Sequence, residues 1–296
     1  MNIAATMAAR DACPAGPGGR CEYDSLGSFE DKSGKVGDVE VLRCRHCGIG
    51  ITMPPISDVA FLYEGRESQD FQPQTSGVAH FIKTIAFRRQ ARSLLRDAAV
   101  RPNRVLDFGC GSGLFTRCLG DVLEGGSVTG SDFHPVPPAD LADRSYVPMS
   151  RLQEVEGSFD LVLAMHVLEH DDDVPGLLHK IARMARPGGT VVIEVPNIDC
   201  FWTKLLGKAW DAWYLPFHRT HFSRASLEAA ITRSGLQLVR TIDACVPTMG
   251  RSLSNAFGAS NGLPFLLAGI ALHPVQWVGE KLSKRPSAIR IIARRP

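Results

Sequence analysis

A chain of 296 residues, 44% apolar and 22% charged, suits one large domain or a domain plus a small module, and this composition excludes wholesale disorder. A formal net charge of +2 lacks the basic excess of a nucleic-acid binder, so no nucleic-acid partner is expected. The charge is uneven: residues 1–76 carry seven Lys/Arg against eleven Asp/Glu, a net of −4, and residues 279–296 carry six Lys/Arg against one Glu, a net of +5.

In chain order, residues 1–20 are rich in Gly, Pro and Ala. Residues 21–56 read as short strands and turns: Val39-Glu40-Val41-Leu42-Arg43 alternates, Cys44-Arg45-His46-Cys47-Gly48 turns, and Ile49-Gly50-Ile51-Thr52 follows. Residues 57–77 form a polar linker. The spacing of Val78, Phe81, Ile82 and Ile85 predicts a helix over 78–99, with Arg88, Arg89, Arg92 and Arg96 on its wet side. Strands are predicted over 104–108, 127–131, 145–148, 159–164, 190–196, 236–242 and 288–293. Helices are predicted over 112–123, 174–185, 223–234 and 263–282. Such alternation predicts an α/β fold with a mostly parallel sheet of seven strands in 78–296, helices on both its faces, and a separate small module in 1–56.

The apolar stretch 262–278 contains Pro264, His273, Pro274 and Gln276 and is short of the roughly 20 apolar residues that span a bilayer. With the basic tail behind it, this segment is a candidate for peripheral membrane contact. A solvated tail plus an edge strand is the plainer reading of the same residues. The first residues, Met1 to Thr6, lack a charged segment followed by an apolar run, which predicts a cytoplasmic protein with reduced thiols.

The most informative segment is Val105-Leu106-Asp107-Phe108 followed by Gly109-Cys110-Gly111-Ser112-Gly113 and an amphipathic helix. Glycines let a backbone approach a ligand, and a helix N-terminus offers free N–H groups. A second strand ends in Asp132, about 20 residues beyond the loop, where a carboxylate can accept from both hydroxyls of a ribose. A dinucleotide fingerprint requires glycine where Leu114 stands and needs no acid before the loop. The pattern D-x-G-x-G-x-G therefore resembles motif I of the class I S-adenosylmethionine-dependent methyltransferases. The resemblance continues through Phe159–Ala164 running into Met165-His166-Val167-Leu168-Glu169-His170, then Arg186-Pro187-Gly188-Gly189-Thr190, and Pro216-Phe217-His218-Arg219-Thr220-His221-Phe222-Ser223. It covers roughly residues 78–242 and implies a Rossmann-like fold, with Asp107, Gly109, Cys110, Gly111 and Gly113 around the methionine part of the cofactor. It further implies Asp132 and Phe133 on the ribose side and His166 lining the methionine side.

Methyl transfer is an in-line displacement from a sulfonium, and a base is needed only where the acceptor must lose a proton. His218 and His221 are the candidate bases; anchoring their own loop by hydrogen bonds is the alternative role. Trp202, Trp210, Trp213, Tyr214 and Phe217 either wall an acceptor pocket or form core.

Cys44-x2-Cys47 followed by Gly48 has the spacing of a zinc knuckle. Cys13 and Cys21 are the candidate second pair, seven residues apart, and His46 is a possible substitute for one of the four. Some methyltransferases of sugar and natural-product pathways carry an N-terminal zinc ribbon, and Cys44–Gly48 with Phe61-Leu62-Tyr63-Glu64 resembles that arrangement. A structural zinc is expected, with free thiols as the alternative. The function implied is methylation of a small molecule such as a sugar, a lipid-linked glycan or a secondary metabolite. The competing readings are a nicotinamide-dependent oxidoreductase and a non-catalytic binding protein that keeps the domain's shape.

Overall fold

The computed structural model describes residues 21–31, 33–56, 61–62, 77–141, 144–259 and 262–296. Cys13 and most of the expected linker lie outside the described residues. The first three strands, β1 (Tyr23–Phe29), β2 (Val39–Cys44) and β3 (Gly50–Met53), form an antiparallel meander. The main domain then runs α1 (Gly77–Ala98), β4 (Arg104–Phe108), α2 (Leu114–Val122), β5 (Ser127–Ser131), β6 (Ser145–Tyr146), β7 (Phe159–Met165), α3 (Val174–Met184) and β8 (Ala185–Pro196). It continues with α4 (Phe201–Leu206), β9 (Thr220–His221), α5 (Arg224–Arg233), β10 (Gln237–Ala244), α6 (Met249–Ala256), α7 (Leu263–Ser283) and β11 (Ala288–Arg294).

Seven strands make the main sheet in the order β10-β11-β8-β7-β4-β5-β6, and only β11 runs against the rest. This is the mostly parallel α/β sheet expected from the alternation. Strands buried on both faces need near-continuous apolar runs, and β7 and β8 supply them. One face packs under α3 and α5 through Phe108, Val162, Ile193 and Ile291. The other packs under α1 and α2 through Val105, Leu161, Leu163 and Val192. The chain leaves β4 toward β5 on one side and later enters β7 on the other. The loops after β4 and β7 therefore flank the switch point where open sheets of this kind bind ligands.

Two expectations change. The N-terminal meander is not a closed unit, because β3 pairs with β9, so its four-stranded sheet crosses the boundary placed at residue 56. Two members of the apolar stripe at the start of α1 are also not buried: Phe81 is 64% and Ile85 37% exposed, whereas Ala91, Leu94 and Ala98 form the contact with the sheet. α4 and α6, of six and eight residues, were not predicted. Helices that short carry too few turns for a periodic signal.

Candidate cofactor and acceptor site

β4 buries Val105, Leu106 and Phe108, and its penultimate residue, Asp107, is 3% exposed. The loop then turns through Gly109, Gly111 and Gly113, whose φ values of 81°, 54° and 83° are left-handed. A Cβ on Gly109 would stand 2.5 Å from Val167 Cγ2, and one on Gly113 2.5 Å from Leu141 Cγ. A side chain at either position meets both a backbone and a space restriction. The N–H groups of Gly109 and Cys110 donate to the Ser131 carbonyl at 2.8 and 2.9 Å, which ties the loop to the end of β5.

Asp132 follows directly. Its Oδ2 accepts from the Gly111 N–H at 2.8 Å and its Oδ1 from the Phe133 N–H at 2.7 Å. Each oxygen retains a lone pair for a ligand hydroxyl. Burial raises the Asp132 carboxyl above its ordinary value despite these two donors. Phe133, 62% exposed, stands beside it. Tyr146 Oη donates to the His134 carbonyl at 2.5 Å and holds the turn. Asp107 sits behind the loop, where Thr116 Oγ1 donates to its Oδ2 at 2.5 Å. Burial pushes Asp107 up to about 6 against that hydrogen bond, and the nearby Asp132 charge adds to the rise. Burial likewise raises the Cys110 thiol.

The second loop begins at His166, a non-glycine residue with φ 57° whose N–H donates to the Glu194 carbonyl at 2.8 Å. Its ring lies between two buried carboxylates: Nδ1 is 3.3 Å from Glu169 Oε1 and Nε2 3.3 Å from Glu194 Oε1. Burial opposes the charged ring, but the Glu169 and Glu194 carboxylates overcome it and push His166 up to about 10. The ion chain continues from Glu194 Oε2 to Arg290 Nε at 2.7 Å, and from Arg290 Nη1 to Asp97 Oδ2 at 2.7 Å. The side chain of His166 remains 36% exposed at the end of this chain.

Beyond it, the donor atoms of Glu169, His170 and His218 lie within 4.8 Å of one another. The His170 and His218 rings meet edge-on with centroids 4.7 Å apart. His170 Nδ1 faces the Phe217 carbonyl at 3.1 Å and His218 Nδ1 the Ala212 carbonyl at 2.7 Å. Burial holds His170 below its ordinary value against the pull of Glu169. Burial, with His170 and His221 adjacent, holds His218 well below its own. His221 takes a different place. It lies in β9, with Nε2 2.9 Å from Thr52 Oγ1, and burial with Arg219 alongside pushes it down to about 3. Of the two candidate bases, only His218 joins the Glu169–His170 cluster. Trp202, Trp210 and Trp213 are buried against Phe29, Val39 and Val41 of the meander, so of their two expected roles they take the core one.

Cys44 and Cys47 stand where expected, on a turn in which the Gly48 N–H donates to the Cys44 carbonyl at 3.0 Å and the Cys44 N–H to the Ile49 carbonyl at 2.8 Å. Burial alone would raise the Cys44 thiol. The N–H groups of Cys47 and His46 and the thiols of Cys47 and Cys21, all within hydrogen-bond reach, bring it below its ordinary value. Three of the four expected cysteines therefore converge, and His46 is exposed.

A family described as a methyltransferase domain matches residues 78–241, more than half of the chain. The chain belongs to the class I S-adenosylmethionine-dependent methyltransferases. This family assignment displaces the nicotinamide alternative. Among curated relatives, it is 30% identical over 131 residues to a ubiquinone biosynthesis O-methyltransferase of Rhodopseudomonas palustris (strain HaA2), covering 40% of this chain and 49% of that protein. It is 36% identical over 104 residues to a protein of the same name from Rhizobium rhizogenes (strain K84), covering 32% and 41%. The chain thus spans about half the length of the curated relatives it matches. The crystal structure of the [4+2]-cyclase SpnF superposes with a TM-score of 0.50 at 18% identity over 71% of this methyltransferase chain and 80% of that one, a likeness of fold alone.

Asp107, the three glycines, Asp132 and His166 all lie around one switch point of the sheet. Sequence reasoning missed Glu194 and Arg290 as site residues, and it passed over the role of Glu169. Lone charged residues inside the apolar strands 190–196 and 288–293 were the available signal.

Proposed function

We propose that this methyltransferase transfers the methyl group of S-adenosylmethionine to a hydroxyl of a small-molecule acceptor. The observation that carries this reading is Asp132, fixed by two backbone N–H groups at the rim of a loop with three left-handed glycines. S-adenosylmethionine, when bound, supplies an electrophilic methyl carbon on a sulfonium. An acceptor oxygen would take the methyl group as the sulfur kept the bonding pair and became a thioether, and the acceptor proton would pass to a base. Asp132 would hold the ribose, and the Gly109–Gly113 backbone and His166 would border the methionine part.

His218 is the base. With Nδ1–H donated to the Ala212 carbonyl, its Nε2 carries a lone pair, and burial keeps the ring neutral at pH 7. The choice of an oxygen acceptor follows the O-methyltransferases among the relatives. Calorimetry with S-adenosylmethionine, followed by mass analysis of products from hydroxylated acceptors, tests the reading. Tight binding and a 14-Da gain on an acceptor are expected. A protein that binds no S-adenosylmethionine, or binds it and yields only rearranged acceptor, refutes it.

The cysteine knuckle fits a structural zinc. The donor set is cysteine sulfur, the Cys44 sulfur is already polarised by two N–H groups, and Cys21 and Cys47 converge on it. Cys21, Cys44 and Cys47 would hold the ion together with Cys13, in a reducing cytoplasm where clustered thiols favour metal over disulfides. The ion would cross-link the meander and take no part in methyl transfer. Elemental analysis of purified protein decides: about one zinc per chain is expected, and a content near zero overturns the assignment.

A further inference from the structure

A helical hairpin is inserted between the last two strands of the main sheet. β10 ends at Ala244, its antiparallel partner β11 begins at Ala288, and these two residues pair. The chain between them folds into α6 and α7, which cross where Gly250 and Gly269 meet; a Cβ on Gly269 would lie 3.0 Å from the Gly250 backbone. The hairpin leaves the sheet at the end where β4 and β7 deliver the glycine loop and His166.

α7 has the reverse of the arrangement expected of a helix on a water-facing surface. Its fully buried side chains are Gln276 and Glu280. Gln276 Nε2 donates to the Val246 carbonyl and to Glu280 Oε1, both at 2.7 Å, and Glu280 Oε2 accepts from the Ser287 N–H at 2.8 Å. Its outward side chains are apolar: Leu263, Leu267, Ile270, Val275, Trp277 and Val278 are exposed, and Leu282 is 82% exposed. A surface helix in water turns its polar face outward, and a contiguous apolar face over a helix about 30 Å long marks an interaction surface. The face continues onto α4, where Gly279 packs against Phe201 and Trp202 and Leu205 is 67% exposed.

One edge of this face is cationic. Lys281 and Lys284 are exposed at the end of α7. Beside α4, a cavity of about 290 Å³ is lined by Lys204, Lys208, Arg43 and Arg285, with Asp199 paired to Arg43 at 2.8 Å. Among the described residues, Lys204, Lys208, Lys281 and Lys284 enter no ion pair. No helix among the described residues is long and apolar enough to cross a membrane.

We propose that the outward face of α7, with the cationic edge at α4, docks on an anionic phospholipid bilayer, α7 lying in the headgroup region. An exposed apolar helix face edged by lysines that enter no ion pair matches the two layers of such a surface, acyl chains below and phosphates above. Docking brings the carboxyl ends of the sheet strands to the headgroup level. Under the methyl-transfer reading this admits a membrane-resident acceptor; the docking itself does not depend on that reading.

Flotation of the full chain with vesicles tests it, using phosphatidylcholine alone and phosphatidylcholine with phosphatidylglycerol. Binding to the anionic vesicles is expected. The double variant Leu267→Glu, Trp277→Glu lowers the bound fraction at least tenfold. The variant Lys204→Glu, Lys284→Glu, or high salt, lowers it on anionic vesicles. Thermal unfolding of each variant verifies folding, and these side chains are exposed. Wild-type protein that stays unbound, or an apolar-face variant that floats like wild type, overturns the proposal. A dimer that Leu267→Glu converts to monomer, with no vesicle binding, also overturns it and assigns the face to a second copy of the chain.

Discussion

At the residue scale, the site is a contest between burial and charge. Asp132 tolerates burial because two N–H groups meet its oxygens. Asp132→Ala leaves both N–H groups without their acceptor and removes the carboxylate proposed to hold the ribose. We expect S-adenosylmethionine affinity to fall by about 10–100-fold in calorimetry, at roughly 1.4 kcal/mol per factor of ten. His218→Gln tests the base separately: kcat falls by about 10²–10⁴-fold while cofactor affinity is unchanged. His166 and His221 titrate in opposite directions. His166 binds its proton more tightly in the folded state, at about 10, than in the unfolded chain at ~6.5. Its stabilisation is therefore complete below pH ~6.5 and is lost as pH rises toward about 10. His221, pushed down to about 3, stabilises above pH ~6.5, and that contribution is lost as pH falls toward about 3. Thermal melts across pH should show both slopes, with His166→Gln flattening the alkaline one and His221→Gln the acid one.

At the element scale, the glycine loop owes its shape to positive φ and to what lies against it. Gly109→Ala places a Cβ against Val167 in a backbone region that disfavours it. A stability loss of about 1–3 kcal/mol is expected in urea titrations, together with weaker cofactor binding. The loop was legible in the sequence because its determinants are local: an acid, three glycines and a second acid lie within 26 residues of one another. The ion chain was not. Glu194 and Arg290 face each other because β8 and β11 pair in antiparallel register, and residues 96 apart in sequence carry no local sign of that pairing. α7 shows the same limit from another side. Its apolar character was plain in 262–278, but which side faces outward depended on the buried Gln276–Glu280–Ser287 hydrogen bonds.

At the scale of the whole molecule, the N-terminal meander and the site loops are one structure. Arg219, fully buried, donates from Nη2 to the Thr52 carbonyl at 2.9 Å and from Nε to Asp172 Oδ2 at 3.1 Å. Its own N–H donates to the Glu169 carbonyl at 2.7 Å. The guanidinium thus joins β3 to the segment bearing Glu169 and His170. Arg219→Met removes the cation beside Asp172 and the donor to the Thr52 carbonyl, and a loss of about 3–5 kcal/mol is expected from chemical denaturation. If the zinc assignment holds, chelation should lower Tm and cofactor affinity together, because the knuckle docks on Ser223, whose Oγ donates to the Cys47 carbonyl at 3.3 Å.

Read alone, the amino-acid order determined the alternating α/β architecture, the three-glycine loop between two acids and the Cys44–Gly48 turn. Each depends on hydrophobic period or on residues a few positions apart, which the chain carries locally. The tertiary structure decided four things: that His218 rather than His221 meets Glu169 and His170, that the tryptophans are core, that the meander is completed by β9, and that α7 turns its apolar side outward. All four depend on strand register and on the packing of distant segments, and those follow from burying one common core rather than from any local run of residues.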